Sequence, residues 1–104
     1  PRIPGRRRTS WSTALRDYGW QAMESFTFVY RLRSDSHPDQ VYTGLTDNLA
    51  ARLLKHNQGG CPHTAKFSPW HIETFHAFQS REKAAAFEAY LKSGSGREFA
   101  RRHF

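Results

Sequence analysis

The chain has 104 residues, the length of one domain with a modest core. Sixteen Lys and Arg against nine Asp and Glu give a net charge of +7, spread along the chain, which favours polyanionic partners through counterion release; a merely soluble basic protein is the ordinary alternative. Cys61, the only cysteine, excludes an intramolecular disulfide and suits a reducing, cytoplasmic setting, and the longest strictly apolar run, Ala84 to Phe87, is far short of the ~20 residues of a membrane span.

Residues 1–25 differ from the rest. Pro1, Pro4, Gly5, the run Arg6-Arg7-Arg8 and Thr9-Ser10 show neither strand nor helix periodicity. A weak helical turn through Leu15 and Tyr18 is interrupted by Gly19. The segment reads as a basic, disordered extension, resembling either a transit peptide or an arm laid on DNA. Met23, the only methionine, is expected to be the natural start, with the preceding residues upstream-coded or added.

From Phe26 to Arg33 the residues alternate, with Phe26, Phe28, Tyr30 and Leu32 on one face, and predict a strand. Ser34 to Asp39 is a turn, and Val41 to Thr46 returns as the second strand of an antiparallel hairpin. Thr46 or Asp47 is positioned to cap a helix whose apolar positions 49, 50, 53 and 54 mark an amphipathic face. Gly59-Gly60 ends it, and Cys61 to Pro69 reads as loop. Trp70 to Phe78, rich in aromatic and β-branched residues, predicts a third strand. Ser80 caps a helix with the stripe Ala84, Phe87 and Leu91. Gly94 and Gly96 break the chain, and Ser95 to Glu98 matches a capping box for a terminal helix. The predicted fold is α+β in the order β-β-α-β-α-α: a small, mostly antiparallel three-stranded sheet with three flanking helices.

Five side chains could carry chemistry. Tyr30 and Tyr42 lie on consecutive strands, so the hairpin can bring both rings together. A phenol serves as a base only where a cation favours the phenolate. Arg52 and His56 stand one helical turn apart; arginine's fork suits a phosphate, and the histidine can relay a proton. Glu88 adjoins a core stripe, where a carboxylate could hold Mg²⁺ with water and phosphate oxygens. Each also has an ordinary structural alternative. Strand tyrosines pack, helix faces are solvated, and Glu88 can pair with Lys92 four residues on. The six histidines form no zinc pattern.

Together these residues resemble the GIY-YIG nuclease superfamily, in particular the small stand-alone bacterial members related to the nuclease domain of the excision-repair endonuclease. Phe28-Val29-Tyr30 stands for the first tripeptide and Tyr42-Thr43-Gly44 for the second. Arg52 follows Gly44 by eight residues, His56 follows by four more, and Glu88 falls where the family keeps its metal-binding glutamate. His63-Thr-Ala-Lys66 and Lys92-Ser-Gly-Ser-Gly-Arg97 look like the subgroup's loop and helix ends. Three positions depart: Phe28 replaces a small residue, Thr43 an isoleucine, and Ala100 occupies the place, twelve after Glu88, of an asparagine kept in several members.

The resemblance implies a domain over residues 26–104 that hydrolyses DNA phosphodiesters with Mg²⁺ or Mn²⁺ at Glu88. Tyr30 and Tyr42 would flank the attacking water, Arg52 would neutralise the phosphate, and His56 would assist proton movement. Lys66, Lys92 and Arg97 would hold the DNA backbone. Repair or structured DNA is the expected setting, without a membrane and with a partner protein for targeting. The alternative is a catalytically degenerate nucleic-acid-binding module of the same fold.

Overall fold

The structure, a computed structural model, describes residues 25–104. The expectations for the basic extension and for Met23 concern residues 1–24 and lie outside the described residues. The elements run β1 Thr27–Ser34, β2 Val41–Thr46, α1 Leu49–Asn57, α2 Pro62–Ala65, β3 Trp70–Phe78, α3 Arg81–Leu91 and α4 Gly94–His103. The sheet order is β2-β1-β3, antiparallel at both pairings. The predicted α+β architecture is therefore the observed one, with a single extra turn of helix, α2.

The central strand β1 is buried along nearly its whole length because helices cover both of its faces. Tyr30, Leu32 and Trp70 form one cluster, packed by Tyr42, Leu49, Leu53, Phe67 and Ile72. Val29, Ala84 and Leu91 form the other, packed by Leu45, Phe78, Phe87, Phe99 and Phe104. Neighbours on a strand point to opposite faces. Val29 therefore serves the core beneath α3 and α4, and Tyr30 serves the core beneath α1.

The sequence placed the helices well and their caps less well. Asn48, not Thr46 or Asp47, caps α1, its side chain accepting from the Ala51 amide. Thr46 is occupied with the Asn48 backbone and Asp47 with Arg81. Ser93, not Ser95, caps α4 by accepting from the Gly96 amide. Glu98, expected to close a capping box, pairs with Arg101 instead. Gly94 and Gly96 lie inside α4 rather than breaking the chain. Gly96 is where the first turn of α4 meets the end of α3: a Cβ there would sit 1.7 Å from the Tyr90 carbonyl oxygen.

Candidate active site

β1, β2 and α1 bring four of the five expected side chains together. Register pairs Tyr30 with Gly44 and Leu32 with Tyr42. Tyr30 therefore lies across from a residue with no side chain, and its ring leans over β2. A Cβ on Gly44 would meet the Tyr30 hydroxyl at 2.5 Å. This close approach is the physical reason for glycine at the third position of the second tripeptide. The Tyr30 and Tyr42 ring centroids are 6.1 Å apart, and both rings contact His56, at 5.9 and 4.7 Å.

His56 is fully buried near the C-terminal end of α1 and uses both ring nitrogens. Nε2 lies 3.0 Å from the Tyr30 hydroxyl, and Nδ1 lies 2.9 Å from Thr64 Oγ1. The Thr64 hydroxyl donates to the Cys61 carbonyl at 3.1 Å. Thr64 Oγ1 thus stands between a ring nitrogen and a carbonyl that can only accept.

Burial lowers the pKa of His56 from its ordinary 6.5, and the neighbouring Arg52 and Lys55 cations push the same way. The imidazole is thus neutral at pH 7. Burial raises the Tyr30 phenol well above its ordinary 10.0, and charge at Tyr42 adds to that; the guanidinium of Arg52 works in the opposite direction. Arg52 is thereby placed as the cation nearest in effect to the phenolate.

Glu88 stands on α3, four residues after Ala84 and three before Leu91, at the margin of that helix's packed face. Its carboxylate is partly sheltered and pairs with Lys92 at 3.2 Å. The ordinary alternative for this residue is thus realised, and the described contacts join Tyr30, Tyr42, Arg52 and His56 without it. Glu88 stands on the helix that packs the Val29 face of the sheet, whereas Tyr30 serves the other face. A groove of about 440 Å³ is lined by Tyr42 and Thr43 of β2, Lys92 and Arg97 at the α3–α4 junction, and Arg31 and Asp39. Tyr42 therefore belongs both to the aromatic cluster and to a basic groove walled by the ion-pair partner of Glu88. Lys66 does not line this groove; it follows α2, with its ammonium over the Phe67 ring.

Two contributors carry no signal in the sequence. Thr64 lies in the Cys61 to Pro69 stretch read as loop, and nothing in its neighbours signals a bond to His56. Glu73 is the extra residue of a bulge in β3, opposite Arg31 and Leu32. It receives Arg31 Nε at 2.7 Å and Arg33 Nε at 2.9 Å. Burial alone would raise its carboxyl, but hydrogen bonds and charge from Arg33 and Arg31 hold it below the ordinary 4.5. Among the described residues, no three His, Cys, Asp or Glu side chains gather as a metal cage. Glu88, a single carboxylate paired with Lys92, would hold a hard cation only with water and substrate oxygens as its remaining ligands.

Comparison with known proteins gives this geometry a family. The model of the GIY-YIG catalytic domain matches residues 26–101, and the chain belongs to the GIY-YIG family, a nuclease family. It is similar to the UPF0213 protein CPE1444 of Clostridium perfringens (strain 13 / Type A), at 33% identity over 66 residues, 62% of this chain and 69% of the relative. No helix among the described residues is long and apolar enough to cross a membrane.

Proposed function

We propose that the protein is a divalent-metal-dependent DNA endonuclease whose general base is Tyr30. The observation that carries this reading is the 3.0 Å bond from the Tyr30 hydroxyl to a neutral, buried His56, beside Tyr42 and Arg52. His56 Nε2 takes the phenolic proton, and the phenolate, favoured by Arg52, takes a proton from the attacking water. The hydroxide forms the new P–O bond as the bond to the 3′ or 5′ oxygen breaks. The leaving oxygen departs with the electron pair and is protonated from solvent, and His56 then releases its proton. Arg52 and Tyr42 face the phosphate, a planar cation and a hydrogen-bond donor for its oxygens.

Glu88 would hold Mg²⁺ or Mn²⁺, its pairing with Lys92 giving way to the ion. When bound, the metal supplies charge neutralisation at the phosphate and a more acidic water. Lys92 and Arg97 hold the DNA backbone along the groove, with Lys66 as a separate cation beyond it. Repair or structured DNA is the proposed setting, in the cytoplasm. The surface of this domain offers little with which to choose a site, and targeting by a partner protein is part of the reading.

The test is nicking of branched, damaged or single-stranded DNA by purified protein with and without Mg²⁺. Glu88→Ala should lose cleavage by about 10²-fold or more while still binding DNA. Equal cleavage by Glu88→Ala would sink the assignment of that residue. The second reading, a binding module without turnover, draws on the Glu88–Lys92 pair and on Phe28 and Ala100, both buried in the core. It predicts salt-sensitive binding with no cleavage in any metal.

A further inference from the structure

We propose that Thr64 is a positioning residue: its hydroxyl holds neutral His56 in the tautomer whose bare Nε2 can take the Tyr30 proton. This rests on the nuclease reading for its catalytic consequence, but the tautomer itself is a property of the folded chain.

A neutral imidazole has two tautomers, and only one can serve Tyr30. With the proton on Nε2, the ring would present a donor to the phenol and could accept nothing from it. The Thr64 hydroxyl decides between them because its single proton is already committed to the Cys61 carbonyl at 3.1 Å. Toward Nδ1, at 2.9 Å, it has only a lone pair to offer. Both Thr64 and His56 are buried, so water does not offer Nδ1 a substitute.

The geometry around Thr64 is closed on itself. Its carbonyl accepts from the Trp70 indole Nε1 at 2.9 Å. The Trp70 backbone is gripped at both polar atoms by the Asn57 side chain, its amide donating at 2.6 Å and its carbonyl accepting at 3.1 Å. Asn57 is the residue after His56. The histidine and its acceptor are therefore tied together twice, once through the ring and once through Trp70 and Asn57. This gives a purpose to α2, a four-residue helix with Pro62 in its first turn and no side-chain cap. It brings the Thr64 hydroxyl under Nδ1.

Besides Thr64, the groups that act on His56 come from three places: Tyr30 on β1, Tyr42 on β2, and Arg52 and Lys55 on α1. None of them offers Nδ1 a described hydrogen bond, so removing the Thr64 hydroxyl leaves that nitrogen without its partner.

The experiment reads the ring directly. In protein labelled with ¹⁵N at histidine, nitrogen–proton correlations at about pH 7.5, above the ordinary histidine pKa, report which ring nitrogen is protonated. Parent protein should show His56 with Nδ1 protonated and Nε2 bare. Thr64→Ser should keep that pattern, and Thr64→Val should move the proton toward Nε2. Nε2 protonated in the parent overturns the proposal, even if Thr64→Val does not fold. An unchanged tautomer in folded Thr64→Val also overturns it. In nicking assays Thr64→Val should lower kcat by about tenfold or more at unchanged KM, with Thr64→Ser restoring it. A full kcat in Thr64→Val rejects the catalytic consequence. Parent protein that nicks no DNA rejects the nuclease reading, and the ring nitrogens still decide what Thr64 does.

Discussion

The hydroxyl of Tyr30 and Nε2 of His56 meet at 3.0 Å although they are 26 residues apart and both side chains are buried. Their pKa values are pushed apart, the phenol upward and the imidazole downward. Both shifts favour the neutral pair, and the cation that works against them at the phenol is Arg52.

This pair predicts a pH dependence. The folded pKa of His56 is below the ordinary 6.5. Between those two values the unfolded chain binds a proton that the folded one does not, so stability rises with pH there. It is fully present above about pH 6.5 and is lost as pH falls toward the folded pKa. Urea midpoints across that window should show the slope, and His56→Gln should flatten it. Cleavage should follow the same sign, falling as His56 becomes protonated. A midpoint that rises on acidification through this window would contradict the buried neutral imidazole.

Gly44→Ala tests the close approach of β2 to the phenol. The added Cβ falls 2.5 Å from the Tyr30 hydroxyl, so the ring must move and its bond to His56 must lengthen. The overpacking should cost about 1–3 kcal/mol of stability. Activity should fall more than tenfold, roughly the effect of losing a positioned base, at temperatures where circular dichroism still reports a folded protein. Undiminished turnover would mean that the Tyr30–His56 contact is not the proton route.

Glu73 should be worth more than an ordinary surface carboxylate because it serves two guanidiniums at once. Its side chain is 20% exposed, and those of Arg31 and Arg33 are 15% and 30% exposed. Glu73→Gln should lower unfolding stability by about 1–3 kcal/mol. The depressed carboxyl gives this contribution a direction. It is complete above the unfolded value near 4.5 and disappears as pH falls through the folded one. Denaturant titrations at neutral and acid pH check both statements, and a neutral-pH loss below about 0.5 kcal/mol, the range of isolated surface pairs, would reject them.

Lys92→Ala and Arg97→Ala should weaken DNA binding without regard to sequence. Each should lower the slope of log K against log salt by about one phosphate contact. Lys66→Ala, outside the groove, should change that slope less. Fluorescence anisotropy over a salt series measures all three. Equal slopes in parent and variants would remove the groove from the DNA path.

Much of this arrangement could be read from residue order because strands and amphipathic helices announce themselves by period. The alternation of Phe28, Tyr30 and Leu32, the stripe Ala84, Phe87 and Leu91, and the step from Arg52 to His56 are all local patterns. The caps were harder. Thr46, Asp47 and Asn48 can each accept an amide bond, and tertiary partners, Arg81 for Asp47, decide which is free to do so. Ser93 and Ser95 present the same ambiguity, settled by how closely α4 must approach Tyr90. The Glu73 bulge and the Thr64–His56 bond were invisible for a related reason. Both depend on which residues of distant segments are brought opposite one another, and no periodicity records that. Position 100, the place of an asparagine in several relatives, proved to be a core position of α4 in this chain.

Because successive side chains of a strand point to opposite faces, adjacent residues of β1 serve unrelated tasks: Tyr30 reaches the imidazole, and Arg31 reaches the groove and Glu73. A slip of the ladder by a single residue would exchange those duties, sending the phenol under α3 and the guanidinium under α1. The protein therefore has no partly correct pairing to fall back on. The bulge opposite Arg31 and Leu32 and the missing side chain at Gly44 act as two keys that admit only one alignment. Assembly of the sheet and assembly of the proposed catalyst are a single event.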